Sequence, residues 1–192
     1  MALEAVAVFC GSRFGNDPRW AELAEATGRR LAESGITVVY GGGHVGLMGV
    51  VADAALAAGG SVVGVIPVAL DNRELAHHGL TELHVVDDMH QRKAMMAERA
   101  DGFITLPGGV GTLEEVTEQW TWAQLGIHAK PSVFLDTRYW EPMRHLVERM
   151  VESGFVAADE PNIPWFGDDV DAAISELKAR TSTTPFDPQD LV

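Results

Sequence analysis

The sequence predicts an α/β protein: a doubly wound parallel sheet in a Rossmann-like three-layer α/β/α sandwich. Three observations carry this. Short Val/Ile-rich runs alternate with longer helical patterns. Gly-rich turns separate them, and the two richest turns each follow a strand and open a helix. Parallel strands joined by helices cross over right-handed and need helices on both faces. Sheets of this kind take ligands at the carboxyl ends of their strands.

Taken in order, Ala5-Val6-Ala7-Val8-Phe9 reads as a buried strand. Asp17 as N-cap and Pro18 at the first helical position open a helix to about Ser34, stopped by Gly35. Ile36 to Tyr40 forms a second strand, followed by three glycines, an Ala/Val-rich helix to about Ala58 and a third strand from Ser61 to Ile66. A loop is expected from Pro67 to Leu80, then a short strand from Glu82 to Val86. Asp87 or Asp88 caps the next helix. A strand over 102–106, a helix from Leu113 to about Gln124, a strand over Ser132 to Leu135 and a helix from about Tyr139 to Glu152 complete the repeat. Residues 1–180 read as one domain, and the polar, Pro-containing tail over 181–192 reads as poorly ordered.

Composition narrows the function. A chain of 192 residues with a net charge of −14 does not suit a nucleic-acid polymer as partner. No apolar run approaches the ~20 residues that span a bilayer. Met1-Ala2-Leu3-Glu4 lacks the basic start of a signal peptide, and Cys10 is the only cysteine, so a cytoplasmic setting is expected. A small anionic substrate must then be met locally, by helix starts and a few basic residues.

The run Pro107-Gly108-Gly109-Val110-Gly111-Thr112-Leu113-Glu114-Glu115 lies between a strand and a helix. Bare backbone N–H groups and a helix start are what hold a phosphate there. No Lys-Ser/Thr pair follows the glycines, so the run is not an ATP-hydrolysing P-loop. Two readings of Thr112-x-x-Glu115 stand side by side: a capping box, or a catalytic carboxylate beside a bound sugar. Gly41-Gly42-Gly43-His44-Val45-Gly46 formally satisfies G-x-G-x-x-G. Yet it follows the second strand, and no acidic residue ends the third to hold a ribose, which favours a mononucleotide over a dinucleotide. Gly11 and Ser12, after the first strand, could donate to the same ligand.

In Met89-His90-Gln91-Arg92-Lys93, Met89 shares a helix face with Arg92 or Lys93. The cations either bond phosphate or ribose or are simply solvated. Cys10 reads as a buried small side chain rather than a nucleophile. Seven scattered histidines show no zinc spacing, and neither metal nor cofactor is expected.

Together Cys10-Gly11-Ser12, the Gly41–Gly49 run, Met89-His90-x-Arg92-Lys93 and Pro107-Gly108-Gly109-x-Gly111-Thr112-x-x-Glu115 resemble the Lonely Guy family, phosphoribohydrolases of cytokinin riboside 5′-monophosphates. The likeness runs from about residue 5 to about residue 155. It implies that phosphate lies on the 108–112 loop, that Arg92 and Glu115 are the catalytic pair, and that Lys93 and Glu74 join the substrate shell. Val110 stands where plant members commonly have Tyr. The resemblance also implies a homodimer, for which Trp120-Thr121-Trp122-Ala123-Gln124 would suit an apolar interface. No lysine stands in a pyridoxal-phosphate context, so the decarboxylase label once given to some relatives is not expected to apply. The expected activity is hydrolysis of the N-glycosidic bond of plain or N6-prenylated AMP. The alternative is a non-catalytic carrier of a nucleotide or phosphorylated cofactor, since molybdenum cofactor carriers share a similar glycine loop.

Overall fold

The computed structural model describes residues 2–71 and 75–181. Glu74 and the predicted tail beyond Thr181 lie outside the described residues. Seven parallel strands form one sheet: β1 Ala5–Phe9, β2 Thr37–Tyr40, β3 Val62–Pro67, β4 Glu82–Val86, β5 Gly102–Thr105, β6 Ser132–Leu135 and β7 Trp165–Gly167. Their spatial order is β4-β3-β2-β1-β5-β6-β7. All residues of β3, β5 and β6 are buried, the continuous apolar pattern of strands covered on both faces.

The helices are α1 Arg19–Glu33, α2 Gly46–Ala57, α3 Val68–Asp71, α4 Met89–Glu98, α5 Val110–Gln124, α6 Glu141–Glu152 and α7 Val170–Thr181. One apolar layer packs α1, α2 and α7 on the sheet through Leu31, Val51 and Leu177. The other packs α4, α5 and α6 through Met96, Val116 and Val147. Each fully covered side chain of this size is worth about 1.5–3 kcal/mol relative to exposure. The chain winds outward from β1 to β4, then returns to place β5 beside β1, with Phe9 opposite Thr105. The carboxyl ends of β1 and β5 therefore flank the switch point, and Gly11 N–H donates to the Pro107 carbonyl across it (3.1 Å).

The structure corrects several expectations. β7 and α7 lie beyond the predicted elements; β7 extends the sheet past β6, and α7 packs on it through Ala173, Ile174 and Leu177. α1 starts at Arg19, one residue late, with Asp17 Oδ1 accepting from Arg19 N (3.0 Å) rather than capping across a Pro18 first position. The expected 67–80 loop contains α3, and a bridge between Gly43 and Ala76 straps it to the β2 turn. In the aromatic stretch over 120–124, Trp120 is core, 6% exposed, and Trp122 is partly buried against the same core. Among the described residues no helix is long and apolar enough to cross a membrane.

Candidate active site

α5 begins at Val110, three residues before the predicted start, with Gly109 as N-cap and no side-chain capping bond. Thr112 therefore sits inside the first turn and caps nothing. The capping-box reading fails, and Glu115 is free of that duty. The first-turn N–H groups of a helix lack intrahelical acceptors, and here the residues that carry them line a cavity of about 660 Å³. Gly108 is required by close approach: a Cβ there would stand 2.1 Å from Thr112 Oγ1 and 2.9 Å from Gly11 N. Its carbonyl accepts from the Tyr139 hydroxyl.

Tyr139 is itself held. Asp136, at a left-handed φ of 77°, accepts from Tyr139 N through Oδ1 (3.0 Å) and from the Trp20 indole through Oδ2 (3.0 Å). Trp20 meets the Tyr139 ring edge-on at 5.4 Å.

α4 brings the basic residues. Asp88 Oδ1 caps it, accepting from His90 N (2.8 Å) and Gln91 N (2.9 Å). One turn in, Arg92 lies buried against the β2 turn. A Cβ on Gly41 would stand 1.8 Å from Arg92 Nη2, so only glycine lets the guanidinium lie there. Arg92 Nη2 reaches Glu115 Oε1 at 3.3 Å, and Nη1 points at Met89 Sδ (3.6 Å). The two partners are 8% and 7% exposed, and Arg92 Nε has no protein acceptor among the described residues. Burial pushes the Glu115 carboxyl above the ordinary range; Arg92 opposes that shift, and Glu114 adds to it. The Cys10 thiol is driven up chiefly by burial and further by Glu115, so it stays protonated and is no nucleophile.

Of the predicted residues, Gly11, Ser12, Gly43, Met89, the 108–112 run, Glu114 and the Arg92–Glu115 pair line the cavity. Two do not. Gly42 turns toward β3 and its carbonyl accepts from His77 N (2.8 Å). Lys93 turns to α5, where it pairs with Glu114 and, at 3.0 Å, with Glu118. The cavity also has members the sequence did not single out, among them Arg13, Phe14, Trp20, Leu70, Leu75 and Tyr139. Tyr139 lies 31 residues from its partner Gly108, with no local pattern to mark it.

Fold and site together define a Rossmann-like α/β protein whose switch-point cavity sets an open helix start beside a buried arginine–carboxylate pair. A family model described as "Possible lysine decarboxylase" matches residues 48–177. The cytokinin riboside 5′-monophosphate phosphoribohydrolase of Rhodococcoides fascians is 49% identical over 178 residues, 92% of this chain and 90% of that protein. An Arabidopsis thaliana enzyme of the same name is 48% identical over 153 residues, covering 79% of this chain and 70% of its own. The chain belongs to this family, the Lonely Guy phosphoribohydrolases. A solved molybdenum cofactor carrier protein from Chlamydomonas reinhardtii superimposes with a TM-score of 0.72, covering 94% of this chain and 99% of its own at 19% identity, a likeness of fold.

Proposed function

We propose that the chain hydrolyses the N-glycosidic bond of adenosine 5′-monophosphate, plain or N6-prenylated, giving free base and ribose 5-phosphate. The names of its relatives support the class of substrate. The observation that carries the reading is the buried Arg92–Glu115 pair beside the open start of α5.

In this reading the phosphate takes the N–H groups at 109–112 and the dipole end of α5. The ribose then lies over Glu115. Water attacks C1′ as the C1′–N9 bond breaks, its electron pair leaving with the base. Glu115 takes the proton of the attacking water, and that proton, passed on from the carboxyl, ends on the departing base, which leaves the carboxylate ionised again. The same carboxylate stabilises the positive charge that develops on the ribose. Arg92 holds Glu115 in place and keeps it ionised, while its free Nε–H meets a ribose or phosphate oxygen. The phosphate grip supplies binding energy remote from the broken bond. Glu74 joins the substrate shell by resemblance. Lys93 pairs with α5 carboxylates and does not line the cavity, so it is no candidate for a Schiff base there.

Chromatography of AMP and N6-isopentenyl AMP incubations tests the reading. Both should release base, and Glu115→Gln should fold yet turn over at least about a hundredfold more slowly, as for a positioned base. Arg92→Ala should lose a comparable factor, and the double variant little more. Nucleotide recovered intact would favour a non-catalytic carrier. A cytoplasmic homodimer belongs to the same proposal; light scattering should give twice the 20.7 kDa chain mass.

A further inference from the structure

We infer that Lys93 and Glu118 are positioning residues that hold α4 against α5 and set the charge on Glu115 without touching substrate. The inference rests on the proposed role of Glu115.

Lys93 follows Arg92 on α4, is 5% exposed, and does not line the cavity. Its ammonium bonds Glu114 Oε1 and, at 3.0 Å, Glu118 Oε1. Glu118 lies one turn beyond Glu115 on α5, and its Oε2 is buried with no partner among the described residues. Two consecutive residues of one helix thus grip three carboxylates of the next, Arg92 on Glu115 and Lys93 on its two neighbours. A buried carboxylate left half-satisfied costs stability rather than adding to it. Its place beside a buried acid–base candidate gives that cost a use.

The charged and titratable groups facing Glu115 are Arg92 and Lys93 from α4, Glu114 and Glu118 on its own helix, and Cys10 from the end of β1. Lys93 favours the Glu115 anion and Glu118 disfavours it. Burial works against the Lys93 ammonium, but its bonds to Glu114 and Glu118 outweigh that and hold it charged.

The pH profile of kcat with saturating AMP tests this. Activity needs Glu115 ionised, so an acid limb should fall above the ordinary glutamate range. Glu118→Gln should move that limb to lower pH and Lys93→Met to higher pH, each by roughly half a pH unit or more, about threefold in rate on the limb. Lys93→Arg should restore it, and KM for AMP should change less than about threefold. A purely structural loss would lower kcat without moving the limb. Unmoved limbs, shifts of the same sign, or a tenfold rise in KM for Lys93→Met would overturn the inference. Glu118→Gln keeps an acceptor for Lys93 and decides the matter if Lys93→Met fails to fold. An inactive Glu115→Gln with unmoved limbs ends this inference alone; an active Glu115→Gln ends the proposed function and this inference with it.

Discussion

The turns at 41–46 and 107–112 both follow a parallel strand, both are glycine-rich and both start a helix, but the space beside their glycines differs. At the first turn Gly43 lines the cavity, but the space beside Gly41 and Gly46 is filled by protein. A Cβ on Gly41 would strike Arg92, and one on Gly46, at φ +59°, would come within 2.3 Å of the Ser12 carbonyl carbon. Leu47 N–H, the second donor of α2, is already spent on the Gly11 carbonyl (3.0 Å). At the second turn Gly108 is packed just as closely against Thr112, but a Cβ on Gly109 or Gly111 meets nothing within 4 Å. Glycines that admit backbone and guanidinium serve packing; glycines that face open space leave room for an anion. A G-x-G-x-x-G spelling does not distinguish the two.

The largest expected effect bears on the open turn. Charge-assisted hydrogen bonds are worth about 1.5–3 kcal/mol each, so losing two or more with the phosphate should lower kcat/KM by about a thousandfold. Adenosine measured against AMP reads this directly, and similar efficiencies would show that the 107–112 turn grips no phosphate. Next comes the packed turn. Gly46→Ala should cost about 2 kcal/mol or more, from the left-handed backbone and the overpacking against Ser12, read as a lower urea midpoint at unchanged slope. The smallest effect is at Gly111→Ala, where a helical alanine should add up to about 1 kcal/mol of stability while KM for AMP rises several-fold. A stability loss equal to that of Gly46→Ala would make the two turns alike.

Much of this was legible in the sequence, because the strand runs of a covered parallel sheet are continuous and its Gly and Asp punctuation is strong. β4 spans the predicted Glu82 to Val86, and Asp88 is the cap of α4. β7 escaped because it is three residues long and preceded by Pro164. The signal for α7 was present: Asp169 caps Ala172 N at 2.7 Å, and Val170, Ala173, Ile174 and Leu177 keep the helical period. The site was harder, since side-chain direction depends on helix phase. Thr112-x-x-Glu115 spells a capping box, yet α5 starts at Val110 and puts both residues out of register for it. Arg92 and Lys93 are adjacent in sequence and diverge by about 100° on the helix. Only packing decides which one sees the cavity.

Asp136 joins two demands that few residues meet. Its φ of 77° admits glycine, asparagine or aspartate at modest cost. Its two oxygens accept from Trp20 and Tyr139, which glycine cannot do and which asparagine can match on one oxygen only. The position is therefore a bottleneck for neutral drift: most single-residue changes there strand an indole N–H, strain the backbone, or do both. The hold on the Gly108 carbonyl, which runs through Tyr139, depends on this one aspartate.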